Sequence, residues 1–583
     1  MDTDLQSIQE ARRLVEAAHA AWQQFGEFSE EQLEPVLRAI SEAGVAHAAD
    51  LAKMAVDETG FGNVPDKTAK NLFASDAVYR AMKPLRTVGI VREDTANKLF
   101  EVASPVGVVA GIVPSTNPTS TAIYKALISL KGRNGIVFSP HPSAVRSITA
   151  TVGLIAEAAC ARGAPPGLIA CMETPTLEGT RELMRHPNVA LILATGGPGL
   201  VRAAYSAGKP AFGVGPGNVP AYIERSAGVA KAVSDILTGK CFDNGTLCSS
   251  EQSIICDRAI REGALAELRA QGAHVCTDLE KARLERVIQT PRGTLDTKIV
   301  GRAAVEIAKM ADIQVPAGTR ALVGFAEGVG PGHPLSMEKL SPILGFYTVD
   351  GWQEGCERCI EILNFGGLGH TLALHSEDQN VIRQFALRKP AFRICVNTPA
   401  ALGAVGYTTN LFPAMTLGCG AAGGNITSDN ISPLHLINLK RVAWGVRDYG
   451  PAPPSTTAVS RQSASGSPAG RDDRKRIAAM VDAWVGRRVA PAPPAPKAQD
   501  ALPLQVAGAA GMRTPPPLQS YSELEAGTAP GPAVAERPAD FVCEDDVREA
   551  MRRNGRIAVG ARTIVTPSAR ELGERESIFV TLD

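Results

Sequence analysis

A cysteine preceded by a polar, glycine-containing loop is the feature of this sequence best suited to covalent chemistry. Cys248 follows Phe242-Asp-Asn-Gly-Thr-Leu and precedes two serines. A nucleophilic cysteine must be partly thiolate, and a free thiol with a pKa of about 8.5 is only slightly ionised at neutral pH. Backbone amides in such a loop favour the charged form. The alternative is a buried structural cysteine, and Cys241, in a helical and apolar context, is interpreted in that way.

A second candidate is the asparagine in Pro114-Ser-Thr-Asn117-Pro, directly after an apolar run. At the carboxyl end of a buried parallel strand, the amide of Asn117 could donate to a developing oxyanion, a contribution of about 10²–10³ in rate. The alternative is an Asn-Pro turn without catalytic function.

A third candidate is the glycine-rich turn Ala194-Thr195-Gly196-Gly197-Pro-Gly, which follows an apolar run and begins a helical pattern. Consecutive glycines let the backbone approach a ligand, and a helix N-terminus offers unpaired N–H groups to a phosphate. The turn is not G-x-G-x-x-G, so a tight turn without a ligand stays open as the alternative.

Composition narrows the class of protein. The 583 residues favour two or three folded units, and 60 basic against 60 acidic residues give a formal net charge of zero. This balance predicts neither a nucleic acid nor a membrane partner. The 11 cysteines lack the spacing of a disulfide framework or zinc site, so thiols and no metal are expected. Without a signal-like N-terminus or a long apolar run, we expect a soluble, cytoplasmic protein.

The elements that must position these residues follow an α/β pattern up to about residue 449. Apolar spacing predicts helices over Leu5–Phe25 and Gln32–Thr59. The stretch Lys98–Pro114 begins with alternation and ends in a continuous apolar run, which predicts an exposed antiparallel strand followed by a buried parallel one. Residues 136–139 and 189–194 are two further buried strand candidates, each followed by a helix.

After residue 450 the sequence becomes rich in proline, alanine and serine. Residues 450–470 and 490–540 are predicted to be disordered linkers, since such sequence buries too little apolar surface to fold. Between them, residues 471–489 show the spacing of a short amphipathic helix. Residues 541–583 predict a small C-terminal motif with a helix, a glycine turn, a strand and a second helix.

Taken together, the motifs resemble the CoA-acylating branch of the aldehyde dehydrogenase superfamily, the acetaldehyde and propionaldehyde dehydrogenases of the bacterial-microcompartment-associated type. The resemblance covers residues 5–447, and eight phrases carry it in order. They are Val113-Pro-Ser-Thr-Asn-Pro, Phe138-Ser-Pro-His-Pro, Thr195-Gly-Gly-Pro-Gly, Gly213-Val-Gly-Pro-Gly-Asn, Asn244-Gly-Thr-Leu-Cys-Ser-Ser-Glu-Gln, Glu338-Lys-Leu-Ser-Pro, Gly367-Leu-Gly-His-Thr and Cys419-Gly-Ala-Ala-Gly-Gly-Asn.

The resemblance implies roles for matching positions. Cys248 would attack the aldehyde, and Asn117 with the Cys248 backbone N–H would hold the oxyanion. His370 could assist attack by a thiol, with a structural histidine as the alternative. The remaining matches would bind the nicotinamide cofactor: Thr195, Gly196 and Gly197 at the pyrophosphate, Glu338 at the nicotinamide ribose, and Pro114 and Ser139 along the rest of the cofactor.

One departure from the hydrolytic branch bears on the second half of the reaction. Those enzymes carry a glutamate that activates water, whereas the matching stretch Gly213-Val-Gly-Pro-Gly has no carboxylate. Without this general base, coenzyme A is the expected acyl acceptor. NAD is the expected cofactor. Ser139 stands where the hydrolytic branch tends to have a lysine that contacts the adenosine ribose, so the choice between NAD and NADP stays open. A hydrolytic enzyme and a non-catalytic scaffold are the alternatives.

The resemblance also implies a domain plan and partners. An NAD-binding domain would span residues 1–230, a catalytic domain 231–418, and residues 419–449 would return to the first domain. A hairpin near 92–104, joined by a later strand, would form a homo-oligomer contact. Residues 471–489 are a candidate encapsulation peptide that would bind the shell proteins of a bacterial microcompartment, because related microcompartment enzymes use such helices to dock inside a shell. Residues 541–583 are a second candidate, because they resemble short segments of other microcompartment-associated proteins. A helix without a partner is the alternative.

Overall fold

The computed structural model describes residues 2–447 and, with short gaps, residues 541–581. The chain divides into two compact units, Met1–Ser455 and Thr456–Asp583. The predicted linkers 450–470 and 490–540 and the predicted helix 471–489 lie outside the described residues. Within the described ranges, no helix is both long and apolar enough to cross a membrane.

The first unit begins with a helical layer. Its helices are α1 Thr3–Phe25, α2 Glu30–Ala46, α3 Ala48–Thr59, α4 Val64–Leu72 and α5 Val78–Met82, with a π-helical turn at Phe73–Ala77. The single helix predicted over Gln32–Thr59 is wrong, because the backbone leaves helical geometry at His47. The buried positions run on from Gly44 to Ala48 with helical spacing, so the apolar pattern does not reveal the break.

A five-stranded parallel sheet packs against these helices. Its strands are β3 Val108–Val113, β4 Gly135–Pro140, β5 Ile169–Cys171, β6 Val189–Thr195 and β7 Ala211–Val214, in the order β5-β4-β3-β6-β7. Helix α1 is in contact with β3, β4 and β5. The connecting helices are α6 Pro118–Lys131, α7 Val145–Cys160, α8 Leu177–Arg185 and α9 Pro198–Tyr205. The predicted buried strands are confirmed. The strand order reverses between β3 and β6, and ligands bind at the carboxyl ends of strands beside such a reversal.

The first unit also contains a separate seven-stranded parallel sheet. Its strands are β8 Val219–Ile223, β9 Glu251–Asp257, β10 Ala273–Val275, β11 Ala321–Phe325, β12 Ile343–Val349, β13 Gly369–His375 and β14 Ala391–Val396, in the order β10-β11-β12-β9-β8-β13-β14. Its helices are α10 Val229–Cys241, α11 Arg261–Ala270, α12 Asp278–Ile288, α13 Ala304–Met310, α14 Gly351–Phe365, α15 Gln379–Arg388 and α16 Ala400–Ala404. The sequence predicts a catalytic domain that starts at residue 231. Strand β8, at Val219–Ile223, already belongs to this sheet, so the sheet begins before that residue.

A three-stranded antiparallel sheet completes the first unit. It consists of β1 Gly89–Asp94, β2 Leu99–Pro105 and β15 Ile437–Ala443, in the order β1-β2-β15. The antiparallel strand predicted in the first half of Lys98–Pro114 is β2, and the buried second half is β3. The predicted exposure of the first strand is wrong, because β2 lies between β1 and β15 and its residues are half-buried or buried. Strand β15 is largely exposed and carries apolar side chains, including Leu439 and Val442.

The second unit contains two successive strand–helix–strand halves. They comprise β16 Phe541–Val542, α17 Glu544–Arg552 and β17 Ile557–Val559, then β18 Ile564–Val565, α18 Pro567–Arg575 and β19 Phe579–Thr581. Equivalent strands pair in parallel, β16 with β18 and β17 with β19. Val542, Val547, Ala569, Leu572 and Ile578 form a small apolar core. The predicted strand and two helices of this motif are confirmed.

Candidate active site

A cleft of about 480 Å³ opens at the carboxyl ends of β3, β4 and β6 and extends to the loop between α10 and β9. Eight of the nine residues singled out in the sequence line it. They are Pro114, Asn117, Ser139, Thr195, Gly196, Gly197, Cys248 and Glu338. The ninth, His370, is fully buried behind Cys248. Residues that are far apart in the sequence therefore line one cleft or contact the sulfur from behind it.

The far end of the cleft has the chemistry expected of a dinucleotide site. Gly197 precedes α9, so the N–H groups of the first turn face a cleft lined by Thr195, Gly196 and Gly197. The buried hydroxyl of Thr195 has no hydrogen-bond partner among the described residues. An unpaired donor beside a helix N-terminus suits an anionic phosphate. These residues thus fit the pyrophosphate of a nicotinamide cofactor.

The sulfur of Cys248 lies at the floor of the cleft, partly open to it but surrounded by protein atoms. Burial is the main reason that the pKa of Cys248 rises to about 12, and the nearby carboxylate of Glu338 raises it further. The guanidinium of Arg393 and the Cys248 backbone N–H act in the opposite direction. The resting group is therefore a thiol, and positive charge or hydrogen-bond donors at the sulfur must help to form the thiolate.

His370 supplies a contact to that sulfur. Its Nε2 lies 3.2 Å from the Cys248 Sγ, and its Nδ1 lies 2.9 Å from the Thr371 Oγ1. Burial and the neighbouring Arg393 lower the pKa of His370 to about 3, so the ring is neutral. The Arg393 Nε donates to the Thr371 Oγ1 at 3.4 Å, which leaves the hydroxyl proton of Thr371 for Nδ1. This arrangement favours a proton on Nε2, facing the sulfur.

Arg393 is a site residue that the sequence reasoning missed. Its side chain is buried and donates to the carbonyls of Gly418, at 2.6 Å, and Ser428, at 3.0 Å. The available signal was a lone arginine at an inward position of the otherwise apolar strand β14. Because it lowers the pKa of Cys248, this cation contributes to the electrostatics of the sulfur although it does not line the cleft.

Glu338 faces Cys248 across the cleft, and burial raises its pKa to about 8. Its Oε1 accepts a hydrogen bond from the Gly217 N–H at 2.9 Å. A Cβ on Gly217 would lie 2.1 Å from the Cys248 carbonyl oxygen, so glycine is required for this close approach. Among the described residues that line the cleft, Glu338 is the only carboxylate.

Asn117 caps the N-terminus of α6 and lines the cleft beside Cys248. Its Oδ1 accepts a hydrogen bond from the ammonium group of Lys70, and its Nδ2 lies 3.4 Å from the Thr246 carbonyl oxygen. Lys70 belongs to a buried cluster with Lys67 and Asp243 that the sequence reasoning did not identify. The carboxamide therefore has a charged partner on the side of its oxygen.

The signal for this cluster was a polar helix face. Lys67, Lys70 and Asn71 recur at helical spacing on the face of α4 that is buried, where apolar residues are the rule. Their partner Asp243 adopts a positive φ of 48° in the loop before Cys248. Since lysine and aspartate are normally exposed, and the two segments are far apart in sequence, only the fold reveals that they meet.

The chain is similar to known proteins over about three quarters of its length, with coverages of 75% and 77% for two of them. Residues 2–321 match the family described as Aldehyde dehydrogenase family. The chain is 41% identical over 442 residues to the bifunctional aldehyde-alcohol dehydrogenase AdhE of Escherichia coli K12, covering 75% of this chain and 50% of that protein. It thus spans about half the length of that relative. It is 36% identical to the succinate-semialdehyde dehydrogenase (acetylating) of Clostridium kluyveri, covering 74% of this chain and 95% of that protein.

Solved structures similar to this chain are also aldehyde dehydrogenases. An acetylating aldehyde dehydrogenase from Geobacillus thermoglucosidasius is 51% identical with a TM-score of 0.76, covering 77% of this chain and 100% of the other. A propionaldehyde dehydrogenase from the Clostridium phytofermentans fucose utilisation bacterial microcompartment is 29% identical with a TM-score of 0.68, covering 74% and 96%. A Rhodopseudomonas palustris propionaldehyde dehydrogenase, seen with bound CoA and an acylated cysteine, has the same identity and TM-score, covering 74% and 97%.

The charge of Glu338 predicts how the rate of Cys248 alkylation differs between wild type and a Glu338 variant at two pH values. Because Glu338 has a pKa of about 8, it is mostly neutral at pH 6.5 and mostly ionised at pH 9, where its charge opposes the thiolate. Glu338→Gln should therefore accelerate alkylation by iodoacetamide at pH 9, on the order of tenfold for each unit by which the carboxylate raises the thiol pKa. At pH 6.5 the two proteins should react at nearly equal rates.

The measurement is the mass-spectrometric rate of modification of the Cys248 peptide, with Cys248→Ala as the control for labelling at other cysteines. Glutamine retains the oxygen that accepts from the Gly217 N–H, so the loop geometry is preserved. Equal rates for wild type and Glu338→Gln at pH 9 would contradict the proposed coupling of the two groups.

Proposed function

Because the chain belongs to the aldehyde dehydrogenase family, we propose that it oxidises a small aldehyde to an acyl-CoA with NAD as the hydride acceptor. The observation that carries the proposal is the cleft around Cys248. It joins the Cys248 thiol, the Asn117 carboxamide and the glycine-rich turn before α9, and Glu338 is the only carboxylate among its described lining residues.

The Cys248 thiol would release its proton to solvent, and the thiolate would attack the aldehyde carbonyl to form the anion of a thiohemiacetal. The oxyanion would be held by the Asn117 Nδ2 and the Cys248 backbone N–H, as donors aimed at developing charge. The cofactor, when bound, would supply the hydride acceptor, with Glu338 at its ribose and Thr195, Gly196 and Gly197 at its pyrophosphate. Loss of hydride from the thiohemiacetal carbon would leave a thioester on Cys248.

The second half-reaction would transfer the acyl group to CoA. The thiol of CoA would attack the thioester carbon with loss of its proton, and the Cys248 sulfur would leave as a thiolate that takes up a proton to restore the resting thiol. The His370 Nε2, 3.2 Å from this sulfur, would stabilise the leaving thiolate by donating a hydrogen bond. Val214, Gly215 and Pro216 line the cleft without a carboxylate to activate water, so hydrolysis would be slow in comparison.

The walls near Cys248 support a small and uncharged aldehyde. A second cavity of only about 10 Å³ shares Leu247, Val405 and Met415 with the cleft. Lys70 borders this cavity, but its three N–H donors are directed at Asn117, Asp243 and Thr246, leaving none for a substrate anion. A carboxylate or sulfonate on the aldehyde would thus be buried without a partner, which is costly.

The adenosine end of the cleft bears on the cofactor. Ser139 and Thr180 lie there with their hydroxyl oxygens 2.8 Å apart, and no acidic side chain borders them among the described lining residues. NAD is the proposed acceptor. NADP is the second cofactor to assay, because no carboxylate would repel a 2′-phosphate at this end.

Two further proposals concern assembly. Leu439, Val442 and Trp444 are exposed apolar side chains on and next to β15, and a homo-oligomer would cover them. The residues after 450 are proposed to dock the enzyme inside a bacterial microcompartment. The supports are the amphipathic pattern of 471–489 and the similarity of the catalytic unit to a microcompartment propionaldehyde dehydrogenase.

The activity is tested by NADH formation at saturating NAD with and without CoA. Acetaldehyde and propionaldehyde should give CoA-dependent turnover, while succinate semialdehyde and sulfoacetaldehyde should react at least about tenfold more slowly, since an unpaired buried charge costs more than 1.4 kcal/mol. Cys248→Ala should abolish turnover with every aldehyde. Equal rates without CoA would indicate a hydrolytic enzyme, and no turnover would favour the non-catalytic scaffold.

The assembly proposal is tested by deletion. A chain lacking residues 450–583 should retain the kcat of the full chain, because the cleft is formed by residues before 450, and should no longer co-purify with microcompartment shells. Separate deletions of 471–489 and 541–583 assign the signal to one segment. Co-purification of the shortened chain at the level of the full one would refute the docking role.

A further inference from the structure

The buried cluster beside Asn117 has a geometry that bears on the proposed reaction. Lys67, Lys70 and Asp243 are all nearly inaccessible to solvent, with exposed fractions of 2%, 4% and 0%. Burying ionised groups is expensive unless they are paired and hydrogen-bonded. A cluster with two cations and one anion directly behind the active cleft therefore calls for an explanation beyond packing.

The cluster fixes the loop that leads to the nucleophile. The Asp243 carboxylate accepts from Lys67, at 2.9 Å, from Lys70 and from the Thr246 hydroxyl. Its other oxygen accepts from the Asn63 N–H at 2.9 Å. Gly62, with φ 74°, leaves the necessary space, because a Cβ there would lie 1.8 Å from the Asp243 Oδ1. Helix α4 is thereby tied to the residues just before Cys248.

The two lysines differ in one contact. The Lys67 ammonium donates to the Thr116 carbonyl oxygen at 2.9 Å, whereas the Lys70 ammonium donates to the side-chain oxygen of Asn117. A lysine ammonium is only a donor, so the group that faces it must be the carboxamide oxygen. The Asn117 Nδ2 is then turned the other way, 3.2 Å from the Thr116 Oγ1 and 3.4 Å from the Thr246 carbonyl oxygen, and both of these residues line the cleft.

We infer that Lys70 is a positioning residue, held by Asp243, that locks the carboxamide of Asn117 with its N–H groups toward Cys248. The inference rests on the proposed function, in which Asn117 holds the oxyanion. Without Lys70, the carboxamide can rotate by half a turn and present its oxygen to the oxyanion, which repels it. Burial lowers the pKa of Lys70 to about 8, against the opposing charge of Asp243, so at neutral pH the ammonium form prevails.

The test compares Lys70→Met with Lys67→Met, a matched control that removes an ammonium from the same Asp243 oxygen and leaves the Asn117 contact intact. Both variants should unfold at lower temperature than wild type. Lys70→Met should lower kcat by about 10–10²-fold, approaching the loss of an oxyanion donor, with the aldehyde KM within about threefold because the ground-state aldehyde carries no oxyanion. The kcat of Lys67→Met should therefore be at least about threefold higher than the kcat of Lys70→Met.

A double-mutant cycle with Asn117→Ala separates positioning from general damage. When Asn117 is absent, Lys70→Met should reduce kcat by less than about twofold further, because the two residues act as a unit. The cost of Lys67→Met should be the same in both backgrounds. Lys70→Gln retains an N–H donor for Asn117, so its kcat should lie between those of wild type and Lys70→Met. The kcat of Lys70→Gln is measured with and without Asn117→Ala in the same way. This variant takes the place of Lys70→Met if Lys70→Met does not fold.

The outcomes distinguish the inference from the function on which it rests. If Asn117→Ala keeps the wild-type kcat, the oxyanion role of Asn117 fails, and the positioning role with it. If Asn117→Ala loses kcat while the Lys70 variants cost as much in its background as in wild type, the positioning role alone is overturned. A Lys70→Met kcat within about threefold of wild type would overturn it as well.

Discussion

The constraint on which the site depends is the cost of forming a thiolate where water is largely excluded. Burial opposes ionisation of Cys248 and raises its pKa to about 12, although the proposed chemistry requires the anion. The same dry environment strengthens each hydrogen bond and charge that reaches the sulfur. Arg393, His370 and the Cys248 backbone N–H all favour the anion, whereas Glu338 opposes it once ionised. The reactivity of the sulfur is thus set by the sum of these contacts.

These contacts depend on the accurate placement of each group around the Cys248 sulfur. Glycines that let two backbone segments lie close together contribute to this placement. Gly217 lets the β7–β8 connection touch the Cys248 carbonyl while its own N–H holds Glu338. Gly62 leaves room for the Asp243 carboxylate, because a Cβ there would lie 1.8 Å from the Asp243 Oδ1. Parallel sheets bring the remaining groups together, since Asn117 follows β3, Thr195 ends β6 and His370 lies in β13. The proposed cofactor, oxyanion and nucleophile positions therefore all follow from strand ends that face one cleft.

Much of this arrangement could be predicted from the sequence. Buried strands and glycine turns have local patterns, so β3, β4 and β6 and the turn at Thr195–Gly197 were found directly. The break at His47 was not, because the apolar spacing of α2 continues into α3. Asn117 and Cys248 carried a signal in their own loops. For Lys67 and Lys70 the only signal was the helical spacing of polar residues on α4, and Asp243 carried none. Charged residues are normally exposed, and the burial of these three depends on contacts across more than 170 positions.

The central claim is that Cys248 carries the acyl group between oxidation and transfer to CoA. It is tested by mixing the enzyme with NAD and propionaldehyde without CoA, stopping the reaction in acid, and measuring the mass of the Cys248 peptide. The account predicts a propionyl adduct on this peptide that disappears when CoA is added before the acid, and no adduct in Cys248→Ala. NADH formation with an unmodified Cys248 peptide, or an adduct unaffected by CoA, would contradict it.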